Sequence, residues 1–251
     1  MAKSKDVSGS FTLKWDEVGQ RIYENGVSYV ALYVAADNAG QRADDSDYKP
    51  GVSWSGITAI NENAEGGDIT KLYADNEKFL SLSADEKFTA SIEAYTYPDA
   101  WKECDGTRSA IDATSGSESN VSVGGQPKKS FGLAYITEIG NDTSGYVSGK
   151  LHLVYGLKAK PSSRDNKTIN DSPEALTFTW DVEATKTNFN DLNGGKACEC
   201  CHIVFDKRSM NSTKWDNLLK EVYGCAAGTP AAQEASLPTA ARLKAILSAQ
   251  N

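Results

Sequence analysis

The stretch "KFTASIEAYTYPD" (residues 87–99) alternates apolar and polar side chains. Phe88, Ala90, Ile92 and Ala94 fall on one side, and Lys87, Thr89, Ser91 and Glu93 fall on the other. This period of two predicts a β-strand with one face in a core and one face in water. At about 3.3 Å per residue, residues 87–97 would span roughly 36 Å, which is long for a strand. A polar face of that length needs a structural reason.

Three later segments repeat the alternation. Two of them place these residues on one face each: Phe131, Leu133 and Tyr135 in the first, and Leu151, Leu153, Tyr155 and Leu157 in the second. The third, "ALTFTWDVEAT" (residues 175–185), opposes Leu176, Phe178, Trp180 and Val182 to Thr177, Thr179, Asp181 and Glu183. All three predict antiparallel strands, since such sheets commonly keep one face wet.

The N-terminal part predicts a hairpin. In "RIYENGVSYVALYVAA" (residues 21–36), Asn25 and Gly26 stand between two apolar runs. That pair favours a type I′ turn, because both of its central residues need a positive φ. Residues 27–36 are apolar on both faces, which predicts a central strand.

Helical signals are short or C-terminal. Pro98 and Gly106 can begin and end a turn or two of helix. Residues 212–224 have Ser212 as a possible N-cap, apolar residues at helical spacing and Gly224 as a stop, and residues 237–247 form a second amphipathic segment. With seven to nine strands before these helices, we expect a mainly β chain. Its predicted fold is an antiparallel β-sandwich or open barrel with flanking short helices.

We expect one domain over residues 1–251, and no internal repeat is visible. Within it we predict a long loop region at 37–76, which begins with the acidic, turn-rich residues 37–51. A Gly/Ser-rich loop is predicted at 107–130 and a C-terminal helical region at 206–251.

The composition limits the possible partners. The chain has 34 acidic and 26 basic residues, a formal charge of −8, which disfavours a tight grip on nucleic acid. Its longest apolar run, residues 29–36, is far short of the roughly 20 residues that cross a bilayer. The start lacks the apolar region of a secretory signal, and the 5 cysteines are an odd number. We therefore expect synthesis in a reducing cytoplasm and no membrane association.

The segment "ACECCH" (residues 197–202) offers zinc-ligand types, and Cys225 could complete a set of four. Its crowded spacing is unlike a zinc knuckle. If residues 197–205 form a strand, Cys198, Cys200 and His202 share a face. Buried cysteines are the favoured interpretation, and a metal or redox protein is the third alternative.

Catalytic motifs are not recognisable. His152 is predicted to be a solvated strand histidine, and no Ser/His/Asp or Cys/His set accompanies it. The segment "GGQPKKS" lacks the spacing of a phosphate-binding loop. We expect no enzyme, no catalytic residue, no cofactor and no metal.

Five segments together resemble the major tail tube proteins of long-tailed phages and prophages of Gram-positive bacteria. They are "LYADNEKFLSL", "FTASIEAYTYPDAWKECDG", "QPKKSFGLAYIT", "GNDTSG…KLHLVYG" and "INDSPEALTFTWD". They occur in the family's order and cover about residues 50–185. The resemblance implies a tail-tube-like β-sandwich or barrel with a flanking helix, in a virion protein that is assembled in the host cytoplasm.

The resemblance also implies partners. Copies of the chain would form hexameric rings that stack head to tail around a tape measure protein, with tail terminator and tail tip proteins at the ends. Neighbouring inner sheets would join into one channel through which double-stranded DNA passes during ejection. A polar face lining such a channel would account for the long amphipathic strand.

Two sets of residues follow from this implication. Glu93, Asp181 and Glu183 lie on polar strand faces and would line the lumen, where acidic groups repel DNA; the alternative is the outer wall. The contacts between subunits would involve Asp44, Asp45, Asp47, Tyr48, Trp54, Leu72 and Tyr73, and deletion of residues 40–49 should prevent stacking. Alternatively, Trp54 and Leu72 belong to the subunit's own core. A monomeric carbohydrate-binding β-sandwich is the second functional hypothesis.

Overall fold

The computed structural model describes residues 18–19, 21–36, 48–84, 86–111, 118–162, 166, 168, 175–190, 192, 198–225 and 232–249. The fold is mainly β, with antiparallel sheets and few short helices, as the sequence predicts. The strands are β1 (Ile22–Val34), β2 (Val52–Ser53), β3 (Ile57–Gly66), β4 (Ile69–Ala74), β5 (Glu77–Ser83), β6 (Glu86–Ala94), β7 (Arg108–Ile111), β8 (Glu118–Val123), β9 (Phe131–Asn141), β10 (Ser148–Ala159), β11 (Phe178–Ala184), β12 (Thr187–Asn188), β13 (Glu199–Cys200) and β14 (His202–Asp206). The helices are α1 (Lys102–Asp105), α2 (Ser212–Tyr223) and α3 (Ala240–Ser248).

Eight strands form the main sheet, in the order β2-β1-β9-β10-β11-β6-β3, with β14 pairing to β10 beside this path. Strand β10 therefore has two successive neighbours on one side. Its first half pairs with β14 and its last residues, Leu157 to Ala159, pair with β11. The sheet divides at this point.

The first hydrophobic core lies inside the curl of this sheet. Side chains from β1, β9 and β10 contact side chains from β6 and β11 in one buried cluster, so the two halves of the sheet must fold towards each other. Three tryptophans occupy its centre: the Trp54 ring lies 4.6 Å from that of Trp101 and 5.7 Å from that of Trp180. Packing of this kind is what an open barrel requires.

The second core lies on the outer face of β1, β9 and β10, where α2 and α3 cover it. Leu151, Leu153 and Tyr155 contribute to it from β10. The Tyr33 hydroxyl donates a hydrogen bond to the carbonyl oxygen of Val222 at 2.5 Å, which ties β1 to α2. Strands β1, β9 and β10 are thus buried on both faces, and the apolar run at residues 27–36 is confirmed as a central strand.

Helix α2 forms close to its predicted bounds. The N-cap is Asn211, whose side chain accepts a hydrogen bond from the backbone of Thr213, so the cap lies one residue before the predicted Ser212. Gly224 follows the helix with a φ of +76°. Between Pro98 and Gly106, a 3₁₀ turn and α1 form as predicted, and Gly106 takes the left-handed conformation at the end.

The predicted hairpin at Asn25 and Gly26 is wrong. Both residues lie within β1, a single strand of 13 residues that pairs with β9 throughout. Gly26 has a φ of +67°, and the pairing register shifts between Asn25 and Ser28. The Asn-Gly pair forms a bulge here, because β9 is long enough to pair with both apolar runs at once.

The prediction that Leu157 shares a face of β10 with the three residues before it in the alternation is also wrong. Leu157 lies in the first core, whereas Leu151, Leu153 and Tyr155 lie in the second. Gly156, with a φ of +64°, breaks the alternation. This bulge shifts the pairing of β10 with β9 by one residue between Val154 and Leu157, where the other neighbour of β10 changes from β14 to β11.

Two predicted loops contain strands. Within 37–76, residues 37–47 lie outside the described residues, but residues 57–66 and 69–74 are β3 and β4. Within 107–130, β7 and β8 pair with each other. In the described part of the chain, no helix is long and apolar enough to span a bilayer.

Candidate assembly surfaces

A two-stranded ribbon runs from β3 to β6. Strands β3 and β6 pair from Ile57 opposite Ala94 to Gly66 opposite Glu86. Beyond Gly66 and Gly67, which both have positive φ, β4 and β5 continue as a separate pair. Asp75 and Asn76 close the ribbon with φ values of +51° and +63°, which is the type I′ arrangement.

The outer half of the ribbon, β4 and β5, presents an apolar face to solvent. Leu72 lies opposite Leu80 and Thr70 lies opposite Leu82, so three leucines share one face. Leu72 is 42% exposed and Leu82 is 54% exposed. Among the described strands, β4 and β5 pair only with each other. An isolated two-stranded hairpin is marginally stable in water, so this face is suited to being covered.

The predicted contact residues separate into four groups. Leu72 and Tyr73 lie in β4 and are exposed. Trp54 is 3% exposed and its indole donates a hydrogen bond to the carbonyl oxygen of Thr96 at 2.9 Å, so it belongs to the core of its own chain, the alternative that the sequence left open.

Tyr48 is half-buried against the second core, and its hydroxyl accepts a hydrogen bond from the backbone N–H of Gly156 at 2.9 Å. It therefore holds the bulge in β10. Asp44, Asp45 and Asp47 lie outside the described residues.

The structure brings the three predicted lumen acids onto one face of the sheet. Glu93 lies opposite Thr179, and Asp181 lies opposite Ser91, with Glu183 next on the same face. Asp181 and Glu183 are exposed, and Glu93 is partly buried. This polar sheet face, formed by β3, β6, β11 and the end of β10, is the surface that faces away from the first core.

Lysines accompany these acids. Glu183 lies opposite Lys158, and the Lys87 amine is 4.0 Å from the Glu183 carboxylate. Glu93 accepts a hydrogen bond from the Asn61 amide at 3.3 Å. The polar sheet face therefore carries charges of both signs. The sequence prediction missed the two lysines as partners because only the register of β6, β10 and β11 brings them beside Glu183.

The sheet ends in one long edge and one short edge. Strand β3, at one end, has 10 residues, and β2, at the other, has 2. In the described part of the chain β3 pairs with β6 on one side only. Unpaired N–H and C=O groups along such an edge can extend a sheet by pairing with another strand.

A separate cleft of about 600 Å³ opens between β1, β9 and α2. Its lining includes the aromatic side chains of Tyr29, Tyr146 and Tyr223. Tyr29 is 73% exposed and has a φ of +52°, an uncommon conformation for a bulky residue. Burial raises the pKa of Tyr223, so its hydroxyl stays protonated and can donate a hydrogen bond.

The sequence matches no protein-family model and no curated protein. Solved structures that resemble the fold include a chain of the PVC sheath–tube complex, an extracellular contractile injection system in its extended state. The two sequences are 9% identical, the match covers 71% of this chain and 89% of that chain, and the TM-score is 0.29. The tube-terminating cap of the anti-feeding prophage has 9% identity, coverage of 82% and 99%, and a TM-score of 0.30. A chain of the anti-feeding prophage baseplate has 9% identity, coverage of 77% and 97%, and a TM-score of 0.29. Likeness at this level assigns the chain to no family.

Proposed function

We propose that this chain is a structural subunit of a phage tail tube, whose copies form stacked hexameric rings around a tape measure protein. Tail terminator and tail tip proteins would bound the tube, and double-stranded DNA would pass through it during ejection. The sequence resemblance over about residues 50–185 motivates the proposal. The observation that carries it is the exposed leucine face of the β4–β5 hairpin.

Covering that face by a second copy is the simplest way to stabilise the hairpin. Leu72, Leu80 and Leu82 lie together on one side of a ribbon that has no core of its own. Each leucine side chain gains about 1.5–3 kcal/mol when it is moved fully from water into an apolar contact. Because the contact would be repeated around a ring and between rings, every copy would gain the free energy of burying its leucine face.

The open edge of β3 supplies a second contact. Pairing of β3 with a strand of the next copy would continue the sheet from subunit to subunit and remove its unpaired edge. The polar sheet face would then form part of a continuous polar surface. Acids and lysines are mixed on it, so it offers no cluster of cations to hold phosphates, and DNA would slide past it.

Negative-stain microscopy and sedimentation of the purified full chain over a range of concentrations test this function. Rings or tubes that grow with concentration are the expected result. A monomer at every concentration and salt condition would contradict it.

The aromatic cleft favours a second candidate, carbohydrate binding, because tyrosine rings stack on sugars. That function predicts chemical-shift changes at Tyr29 and Tyr146 on addition of oligosaccharides, with no polymer formed. A full chain that polymerises and shows no such changes would exclude it.

A further inference from the structure

Two histidines and a glutamate meet at one end of the first core. Glu62 comes from β3, His152 from β10 and His202 from β14, and one possible ligand atom from each lies within 4.8 Å of the others. The sequence predicted a solvated His152, which is wrong: the residue is 7% exposed. The prediction failed because β3 folds over that part of β10 and β14 and covers the imidazole.

The hydrogen bonds of His152 determine which of its nitrogens carries the proton. The Thr137 hydroxyl lies 3.0 Å from Nε2 of His152 and donates its one hydrogen to the Glu24 carboxylate at 2.8 Å. Lys150 holds that carboxylate in its charged, accepting form with an ammonium–oxygen distance of 2.5 Å. Nε2 of His152 must therefore be the donor to Thr137, which leaves Nδ1 unprotonated.

The unprotonated Nδ1 points towards the other two residues. It lies 3.8 Å from Oε1 of Glu62 and accepts a hydrogen bond from Nε2 of His202 at 3.0 Å. A metal ion bound to both nitrogens would displace the proton of Nε2 to Nδ1 of His202 or to solvent. The second carboxylate oxygen of Glu62 lies 3.8 Å from Nδ1 of His202. Two imidazoles and one carboxylate thus converge from three different strands.

Neighbouring side chains fix the orientation of this cluster. The Tyr135 hydroxyl donates a hydrogen bond to Glu62, and the Tyr135 ring stacks on His152 at 4.6 Å with an interplanar angle of 8°. The ring centroids of Phe88 and His202 lie 5.0 Å apart in an edge-to-face arrangement. Metal-binding histidines and carboxylates are typically oriented by outer partners of this kind.

Burial keeps the imidazoles neutral. It lowers the pKa of His152 to about 4, with the neighbouring His202 as the next cause. Burial also lowers the pKa of His202, against the opposing effect of Glu62.

We propose that Glu62, His152 and His202 bind one divalent transition-metal ion, with Zn²⁺ the best match to two imidazoles and a carboxylate. Tetrahedral zinc with bonds of about 2.0–2.1 Å needs its ligand atoms about 3.3–3.4 Å apart. The two distances from Nδ1 of His152, 3.0 Å and 3.8 Å, lie on either side of that value, and the three ligand atoms all lie within 4.8 Å of one another, so side-chain adjustment must bring the Glu62 and His202 atoms closer.

The fourth ligand position opens to solvent. Glu62 and His202 line a cleft of about 680 Å³, and the Glu62 side chain is 40% exposed. The cleft gives the ion a path to enter and room for a bound water. Because the ligands come from β3 on one half of the sheet and from β10 and β14 on the other, the ion would clamp the two halves together at this end of the fold.

The nearby cysteines are a second set of possible ligands, because Cys200 and Cys201 line the same cleft as Glu62 and His202. The strand predicted at residues 197–205 is interrupted at Cys201, so Cys198 and Cys200 pack against the second core while His202 turns towards Phe88. The experiment must therefore distinguish a metal ion held by cysteine thiolates from one held by Glu62, His152 and His202.

Titration of the metal-free full chain with Zn²⁺ and with Co²⁺ tests the proposal. We expect one equivalent to bind, a rise in Tm, and visible Co²⁺ bands without a thiolate-to-metal charge-transfer band. Glu62→Gln, which keeps an acceptor for Tyr135, and His202→Asn should each weaken Zn²⁺ binding by 10-fold or more, an order of magnitude typical of altered metal sites.

The matched control is the triple variant Cys198→Ser, Cys200→Ser, Cys201→Ser, which should bind Zn²⁺ like the wild type. Circular dichroism of the metal-free variants checks that they are folded, and the Co²⁺ spectrum of the wild type gives an answer without any variant. A charge-transfer band, loss of binding in the cysteine variant, unchanged affinity in the folded Glu62 variant, or no binding by the wild type would each overturn the proposal.

Discussion

The carboxylate of Glu221 on α2 accepts two hydrogen bonds from the guanidinium of Arg242 on α3, at 2.9 Å and 2.8 Å. Gln233 and Ser236 donate to the same carboxylate, at 2.7 Å and 3.0 Å. Glu221 is 8% exposed. This one carboxylate therefore joins the two helices that cover the second core, together with the segment between them.

The ion pair predicts a pH-dependent stability. Burial raises the pKa of Glu221, but the hydrogen bonds from Arg242, Gln233 and Ser236 outweigh it and leave the pKa below its ordinary value of 4.5. A lowered pKa contributes stability that is present above the unfolded value and is lost as the pH falls through the folded value. Glu221→Gln should reduce the free energy of unfolding by about 1–2 kcal/mol at neutral pH, since Arg242 is partly exposed.

Urea unfolding at neutral pH and in acid, well below the ordinary carboxyl pKa of 4.5, measures the difference. The gap between wild type and variant should narrow in acid. Glu234→Gln, at an exposed acid nearby, is the control and should change little. A gap that is equally large in acid would show that the charge of Glu221 does not contribute.

Changing the leucine face of the hairpin should prevent assembly without unfolding the monomer. Leu72→Glu combined with Leu82→Glu should abolish rings and tubes, because two charges would have to be buried against the neighbouring copy. The circular dichroism and Tm of the monomer should stay unchanged, since both side chains are exposed within one chain. Sedimentation velocity and microscopy read the assembly.

Lys71→Ser is the matched control for the hairpin, because Lys71 lies on the opposite face, across from Ser81. It should assemble normally. Tubes of normal length from the leucine variant would mean that this face is not an interface.

The polar sheet face predicts how tubes interact with DNA. Replacing Glu93, Asp181 and Glu183 by lysine would leave this face strongly basic, beside Lys87 and Lys158. Tubes of this variant should retain short duplex DNA, with an affinity that falls steeply as salt increases. The retained DNA should be protected from nuclease if the face lines the lumen.

Wild-type tubes should retain no DNA. Reversal of the exposed acids Asp99, Asp216 and Glu234, which lie outside both the hairpin and the polar sheet face, adds the same charge elsewhere and should give tubes that retain no DNA in the lumen. DNA that binds the first variant but stays open to nuclease would place Glu93, Asp181 and Glu183 on the outer wall.

The bulge at Gly156 predicts a large loss of stability on adding one methyl group. A Cβ at this position would lie 2.7 Å from the carbonyl oxygen of Thr185, and the φ of +64° disfavours any L side chain. Gly156→Ala should therefore destabilise the fold by about 2–3 kcal/mol. Gly124→Ala is the control, since nothing lies within 4 Å of its added Cβ. Equal Tm values for the two variants would disprove a conformational role for Gly156.

Local pattern was sufficient for the strands that keep one wet face. In β6 the alternation of Phe88, Ala90, Ile92 and Ala94 with polar residues places those four on the core side, as predicted. Helix α2 follows its spacing, with Trp215, Leu218 and Val222 buried. In these elements each side chain contacts either one core or water, so the hydrophobic period along the chain is enough to predict which residues are buried.

Local pattern failed where an element has two partners. Asn25 and Gly26 form a bulge rather than a turn because β9 pairs with the residues on both sides of them. Leu157 changes core because β10 exchanges β14 for β11 after Gly156. Neither event depends on the local residues alone; each depends on which strand lies alongside.

The sequence by itself determined a mainly antiparallel β chain with amphipathic strands and C-terminal helices, because hydrophobic period and capping residues act over a few neighbouring positions. Only the tertiary structure decided that Glu62, His152 and His202 meet, and that Lys87 and Lys158 flank Glu183. Those residues are far apart along the chain. Strand order and register bring them together, and both are set by how the whole sheet curls around its core rather than by any single segment.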